Sequence, residues 1–102
     1  MPGWKGDIER VDIEKNLENE KLGTYVLHRD KMWNEVLNIE SYLVTVKEEE
    51  KKIAEQMMVH TKWGWTVYRD NPDLNDQEYY KYFDTFQDAL HSLIPSAKTP
   101  LI

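Results

Sequence analysis

Residues 23–30, Gly-Thr-Tyr-Val-Leu-His-Arg-Asp, form the stretch of this chain with the clearest structural signal. A glycine suited to ending a helix precedes four residues of high strand propensity, and two nitrogen-rich side chains follow. Because successive strand residues point to opposite faces of a sheet, His28 and Arg29 cannot both face the same core. The stretch therefore predicts a buried strand, Thr24–Arg29, with a residue that can hold an anion at its end.

The segments on either side of this strand carry regular patterns. Ile13 and Leu17 lie one turn apart, which predicts a helix over residues 10–22 that Gly23 ends. Alternating strand-forming residues and turn signals predict three further strands, Ser41–Lys47, Ile53–Thr61 and Trp65–Arg69. Ala54, Glu55 and Gln56 also allow a helical start to the second of these.

A second helix is predicted near the end of the chain. Thr85 is followed three positions later by Asp88, a near-match to the capping box with Asp in place of Glu. Apolar residues at helical spacing follow, and Pro95 ends the helix. The order helix, strands, helix predicts an α+β fold in which a central antiparallel sheet carries one helix on each face.

Composition limits the class of protein. A chain of 102 residues is long enough for one domain, here residues 1–102 with a core over 4–94 and a short tail over 95–102. The net charge of −6 argues against a nucleic-acid partner. No apolar run approaches the roughly 20 residues of a membrane span, so we expect no membrane insertion. There is no cysteine, and no pattern predicts a metal or another cofactor.

Five short motifs follow one another along the chain: Trp-Lys-Gly-Asp-Ile-Glu-Arg at 4–10, Ile-Glu-Lys-Asn-Leu at 13–17, Gly-Thr-Tyr-Val-Leu-His at 23–28, Ser-Tyr-Leu-Val-Thr-Val at 41–46 and Phe-Asp-Thr-Phe-Gln-Asp-Ala-Leu at 83–90. Their order and content resemble those of the SH2 domain, the phosphotyrosine-binding module, although the first motif is one residue short between Trp4 and Gly6. The resemblance implies an SH2-like fold and a monomeric, non-enzymatic module whose partner is a tyrosine-phosphorylated protein or peptide.

The ungapped match places His28 where the family has the arginine that grips the phosphate. Arg29 takes that place only if the strand slips by one residue, which would turn Leu27 and His28 to the opposite faces. We favour the ungapped register because it keeps Tyr25 and Leu27 on one apolar face and Val26 on the other. The resemblance also puts Glu55 and Met57 where the family usually has His and Lys or Arg.

Two loops also depart from the family. The Asp70–Tyr82 segment is longer than the usual connection before the second helix, and the segment after that helix is nearly absent. Because these loops normally shape the pocket for residues downstream of the phosphotyrosine, the resemblance implies low downstream selectivity. The combination is similar to the SH2-like domains of bacterial effectors, the Legionella group in particular. Such a protein would act in the cytoplasm of a host cell.

The resemblance and the residue chemistry together nominate a phosphotyrosine site. Forked or cationic donors and a hydroxyl suit a phosphate that carries nearly two negative charges. The candidates are Arg10, His28, Arg29, Lys31 and Thr45, with Tyr79, Tyr80 and Tyr82 as a peptide-contact loop.

Each candidate also has an ordinary structural interpretation. Arg10 would pair with Glu14, four residues on, and His28 would be a neutral strand histidine bonded internally. Arg29 would pair outwards with Asp30 or Glu40. Lys31 and Thr45 would be a solvated lysine and a plain strand threonine, and the tyrosines would pack back onto the sheet edge.

Two other functions compete with phosphotyrosine binding. A degenerate SH2-like domain could have lost phosphate binding and act as an acidic adaptor or inhibitor. A small enzyme would need His28 or His60 as a general base, but no nucleophile, metal triad or carboxylate pair has a telling spacing. His60 and His91 also lack an evident carboxylate or serine partner in the sequence.

Overall fold

The structure, a computed structural model, describes residues 2–29, 35 and 38–101. Two helices and five strands follow one another in the order α1 (Arg10–Leu17), β1 (Thr24–Arg29), β2 (Ser41–Glu49), β3 (Lys52–Thr61), β4 (Gly64–Val67), α2 (Phe86–Leu93) and β5 (Thr99–Pro100). The predicted α+β class with a central sheet and two helices is confirmed.

The sheet is mixed, not purely antiparallel. Its strand order is β4-β3-β2-β1-β5, and the four long strands pair antiparallel, as predicted. The fifth strand pairs parallel to β1, with Thr99 opposite Thr24. The segment that was expected to be a plain tail over 95–102 is therefore part of the sheet. Two residues containing a proline give too short a pattern to predict a strand.

The alternation of β1 divides the hydrophobic residues between two cores. Tyr25 and Leu27 are buried in a large core with α2, β2, β3 and β4, while Val26 packs with Ile13 and Leu17 of α1. The two helices therefore cover opposite faces of the sheet. This is the face assignment that the ungapped strand register predicts, and it puts His28 on the α1 side with Val26.

The first helix is shorter than predicted. It ends at Leu17, so Gly23 does not terminate it. Two carbonyls just beyond the helix accept hydrogen bonds from the buried Lys47 ammonium, that of Glu18 at 2.8 Å and that of Glu20 at 2.9 Å. A cation at the C-terminal end of a helix also suits the helix dipole.

Gly23 has a different role, at the point where the C-terminal segment meets the sheet. Its φ of +90° is unfavourable for residues with a side chain, and a Cβ there would lie 3.2 Å from the Lys98 side chain. Its carbonyl accepts hydrogen bonds from the backbone N–H groups of Lys98 and Thr99. The glycine thus allows the chain to return beside β1.

The second helix begins as predicted. The Thr85 hydroxyl accepts a hydrogen bond of 3.1 Å from the Asp88 backbone N–H, which satisfies one donor of the first turn. Ala89 and Leu90 are fully buried against the sheet. The predicted cap and apolar face are both present.

Candidate functional site

Strand register places two predicted site residues, His28 and Thr45, on the α1 face of the sheet. Val26 of β1 lies opposite Thr45 of β2, and Thr45 lies opposite Glu55 of β3. His28, two residues after Val26, points to the same face, and its Nε2 atom shares a hydrogen bond of 2.9 Å with Thr45 Oγ1. Only 7% of the His28 side chain is exposed, so one edge of its ring is held inside the sheet layer.

Arg10 approaches this group from the first turn of α1. Its Nε donates to Glu14 Oε1 at 3.4 Å, the pairing foreseen as the ordinary alternative. Its Nη1 also lies 4.0 Å from Glu55 Oε2. The guanidinium is 63% exposed, so water reaches it and the exposed ion pair with Glu14 contributes little to stability.

Glu55 contacts both His28 and Arg10. The same carboxylate oxygen, Oε2, lies 3.9 Å from His28 Nε2 and 4.0 Å from Arg10 Nη1. The sequence pointed to this residue as a departure from the SH2 pattern, at a position that the resemblance puts near the phosphotyrosine ring. Its place becomes visible only once the β2–β3 register is known.

Arg29 lies elsewhere. Its Nε donates to Asp7 Oδ1 at 2.9 Å, and its guanidinium lies 5.6 Å from the centroid of the Trp4 ring. Both contacts are on the α2 side of the sheet, because Arg29 alternates with His28 and its strand neighbour Tyr42 packs against the large core. The structure therefore brings together Arg10, His28 and Thr45, and Arg29 is not among them. The predicted Lys31 lies outside the described residues.

The tyrosine segment is folded upon itself. The Tyr80 hydroxyl donates to the Asn71 carbonyl at 2.8 Å, and the Tyr82 hydroxyl donates to the Leu74 carbonyl at 2.5 Å. Tyr80 is buried, whereas Tyr79 is 53% exposed although its hydroxyl bonds to the Arg69 carbonyl. Contact of this segment with a peptide stays a prediction, and Tyr79 has the ring best placed for it.

Two cavities lie beside the cluster of Arg10, His28 and Thr45. One of ≈ 510 Å³ lies between α1 and the end of the β2–β3 hairpin, where Val11, Lys15 and Ile53 line it. The other, of ≈ 330 Å³, lies on the β3–β4 side and is lined by Leu43, Glu55, Gln56, Met57, Tyr68 and Arg69. Glu55 therefore contacts Arg10 and His28 and also lines the second cavity.

His60 has a carboxylate neighbour that the sequence did not reveal. Its Nδ1 lies 2.7 Å from Glu40 Oε1, and its ring stacks on Trp65 with centroids 4.4 Å apart. The expectation that His60 has no carboxylate beside it was wrong, because the pair forms across twenty residues. The same carboxylate adds to the effect of burial in raising the pKa of the Tyr42 hydroxyl.

The described residues show no group of three or more side chains suited to hold a metal ion. Within the same residues, no helix has the length and apolar character that crossing a membrane requires.

Comparison with solved structures identifies the architecture. The chain is similar to the SH2 domain of a CRK/CRKL homologue from Monosiga brevicollis, solved in solution by NMR, with a TM-score of 0.66. The match covers 99% of this chain and 86% of that domain at 18% sequence identity. No family model matches the sequence, and no curated protein matches it. The fold is therefore SH2-like, as the sequence motifs implied.

Proposed function

We propose that this SH2-like domain binds phosphotyrosine peptides without catalysing a reaction, in a site formed by Arg10, His28 and Thr45. The observation that carries the proposal is the convergence of these three residues on the α1 face of the sheet, with His28 fixed to Thr45 at 2.9 Å. A cation, an imidazole and a hydroxyl are suitable donors for phosphate oxygens.

In this site His28 would donate to the phosphate at the end of β1, while Arg10 would contact the phosphate and the ring from α1. The fixed orientation of His28 reduces the entropy lost when a ligand is bound. Lys31 would contribute from the following loop. Arg29 would take no direct part, because its guanidinium is held by Asp7 on the opposite side of the sheet.

Titration of a fluorescent phosphotyrosine peptide against its unphosphorylated form, followed by polarisation, tests this function. We expect saturable binding of the phosphopeptide alone, with a Kd of about 1–100 µM. Arg10→Ala should weaken binding about tenfold, since a charged hydrogen-bond donor is lost. His28→Gln should weaken it similarly, because a neutral amide replaces a side chain that can carry charge. Thermal unfolding of each variant separates lost binding from lost folding.

Arg29→Ala is the matched control, because it also removes one arginine charge but on the other side of β1. It should change the Kd by less than about threefold, the scale of a distant surface charge. If Arg29→Ala abolishes binding and His28→Gln leaves it intact, the assignment of His28 to the phosphate is wrong. If the wild-type protein shows no saturable binding up to a few hundred micromolar, the phosphotyrosine function is rejected.

The finer features of the proposal are low downstream selectivity, a monomeric state, and action as a bacterial effector in the cytoplasm of a host cell. Selectivity is expected to be low because α2 is followed almost directly by β5, and the 70–84 segment bonds mainly to itself. A phosphopeptide array with varied residues after the phosphotyrosine would test it, and a strong single consensus would contradict it.

A second candidate is a phosphotyrosine-independent adaptor or inhibitor. The observation that favours it is Glu55, whose carboxylate oxygen Oε2 lies 3.9 Å from His28 Nε2 and 4.0 Å from Arg10 Nη1. Pull-down from a lysate with and without phosphatase treatment distinguishes the two functions. Recovery of the same partner in both samples would support the adaptor.

A further inference from the structure

Arg10 and His28 already contact a carboxylate of their own chain. Glu55 Oε2 lies 3.9 Å from His28 Nε2 and 4.0 Å from Arg10 Nη1. These are the two nitrogen donors that the proposed function assigns to phosphate oxygens. A carboxylate and a phosphate present the same kind of acceptor oxygen to such donors.

The contacts of Glu55 are close enough to attract and too long to be tight hydrogen bonds. Both distances exceed the 2.7–3.2 Å range typical of N–H···O bonds. The Glu55 side chain is 37% exposed, and it borders the ≈ 330 Å³ cavity on the β3–β4 side. The Glu55 carboxylate can therefore move away from Arg10 and His28 without losing a buried hydrogen bond, and the adjoining cavity has space for it.

A phosphate dianion that approaches Arg10 and His28 meets this carboxylate in either position. If Glu55 stays, like charges lie side by side, and such juxtaposition opposes binding. If Glu55 moves, its attraction to the Arg10 guanidinium and its contact with His28 are lost. In both cases part of the interaction between the ligand and the cations is offset.

We propose that Glu55 is an internal competitor for the phosphate-binding site, a specificity-determining residue that lowers affinity for the phosphotyrosine dianion. This inference rests on the proposed function. Among the described residues, the side chains that contact His28 or Arg10 include Glu14 from α1, Thr45 from β2 and Glu55 from β3. Among these, Glu55 is the carboxylate that contacts both nitrogen donors.

The test compares wild type, Glu55→Gln and Glu14→Gln in the polarisation assay, with the phosphotyrosine peptide, its unphosphorylated form and phenyl phosphate as ligands. Glu14→Gln is matched to Glu55→Gln: each removes one carboxylate that contacts Arg10, but Glu14 lies on the exposed side of α1. Glu55→Gln should tighten phosphopeptide binding about tenfold, as expected for removing a unit charge about 4 Å from a dianion in a solvated site. Glu14→Gln should gain less than about threefold.

The outcomes separate this inference from the proposed function. A wild-type protein that binds and a Glu55→Gln variant that binds equally or more weakly would overturn the competitor role and leave the function intact. Equal gains in both variants would also overturn it, because they would reflect only total charge. Binding by Glu55→Gln alone would support the competitor and reject phosphotyrosine binding by the natural chain. Absence of binding in all three would reject both.

Discussion

Gly64, the first residue of β4, is the glycine at which an added Cβ would meet another atom most closely. Its φ is +129°, and a Cβ there would lie 2.5 Å from the Phe83 carbonyl oxygen. That carbonyl accepts a hydrogen bond of 2.7 Å from the Trp65 backbone N–H, so it cannot move away without breaking the bridge between Trp65 and Phe83. Gly64 therefore allows the 70–84 segment to return to the sheet.

Gly64→Ala should lower the free energy of unfolding by about 3 kcal/mol or more, because strain and a backbone clash add together. Gly6→Ala is the control, since Gly6 also has a positive φ, +62°, but no atom lies within 4 Å of its ideal Cβ. It should cost about 1–2 kcal/mol. Urea denaturation of both variants gives the comparison, and equal losses would contradict the clash.

Three tyrosines should resist ionisation in the folded protein. Burial raises the pKa of Tyr25, Tyr42 and Tyr82 above the usual 10.0, and nearby carboxylates add to the effect at Tyr42 and Tyr82. Because the folded state holds these protons more tightly, their contribution to stability is present below pH 10 and is lost as pH rises through the raised values.

Tyrosinate absorbance measured against pH checks this expectation. The folded chain should lag behind the urea-unfolded chain, in which all six tyrosines ionise near pH 10. Tyr42→Phe should remove part of the delayed signal. A folded curve that coincides with the unfolded one would contradict the prediction.

At the scale of elements, α2 depends on its N-cap residue, Thr85. The helix has eight residues, too few to be stable alone, and the Thr85 hydroxyl satisfies one of its free N–H groups. Thr85→Ala should cost about 1 kcal/mol of unfolding free energy, and Thr85→Ser should recover most of it.

Ser92→Ala is the control for the cap, since Ser92 is an exposed residue inside the same helix. It should leave stability unchanged or raise it slightly, because alanine has the higher helix propensity. If the Thr85→Ala loss does not exceed that of Ser92→Ala, the hydroxyl is not acting as a cap.

The elements also show where sequence reasoning succeeds. The bounds of β1 were predicted correctly. The division of its residues between the two cores was also predicted, because alternation assigns Tyr25 and Leu27 to one face and Val26 to the other. The cap at Thr85 was predicted because its hydrogen bond is local. In both cases the determining contacts lie within a few residues or follow from the period of the strand.

The failures all depend on distant residues. The end of α1 was misplaced: the chain leaves the helix after Leu17, and the carbonyls just beyond it accept hydrogen bonds from the Lys47 ammonium, thirty residues further along. The meeting of Glu55 with His28 and Arg10 follows from pairing between three elements, which no local pattern specifies. Of the nominated site residues, the structure brings together Arg10, His28 and Thr45 but not Arg29, and their role in binding phosphate stays a prediction. The contact of Glu55 with Arg10 and His28 was not predicted.

At the scale of the whole molecule, the C-terminal segment completes the sheet. Thr99 and Leu101 donate backbone hydrogen bonds to the carbonyls of Gly23 and Tyr25, at 3.1 and 2.9 Å. Leu101 also packs against the small core under α1. Removal of residues 99–102 should therefore affect β1 and the candidate site together.

This truncation should lower the free energy of unfolding by about 2–3 kcal/mol, from two lost hydrogen bonds and the exposure of Leu101 and its neighbours. Chemical denaturation of the two chains gives the measurement. Equal stability of wild type and the 1–98 chain would show that β5 contributes nothing.

The two ends of the described chain meet on one strand. The backbone of residues 3–6 forms hydrogen bonds with Leu27 and Arg29 of β1. At the beginning of the same strand, β5 pairs with Thr24 and Tyr25. A Cβ on Gly3 would lie only 3.2 Å from that of Pro100. A short peptide can therefore join the ends into a covalent ring, which would restrict the unfolded chain while leaving the folded one unstrained. By the same geometry, the domain can be inserted into a surface loop of another protein without separating the two halves of its host.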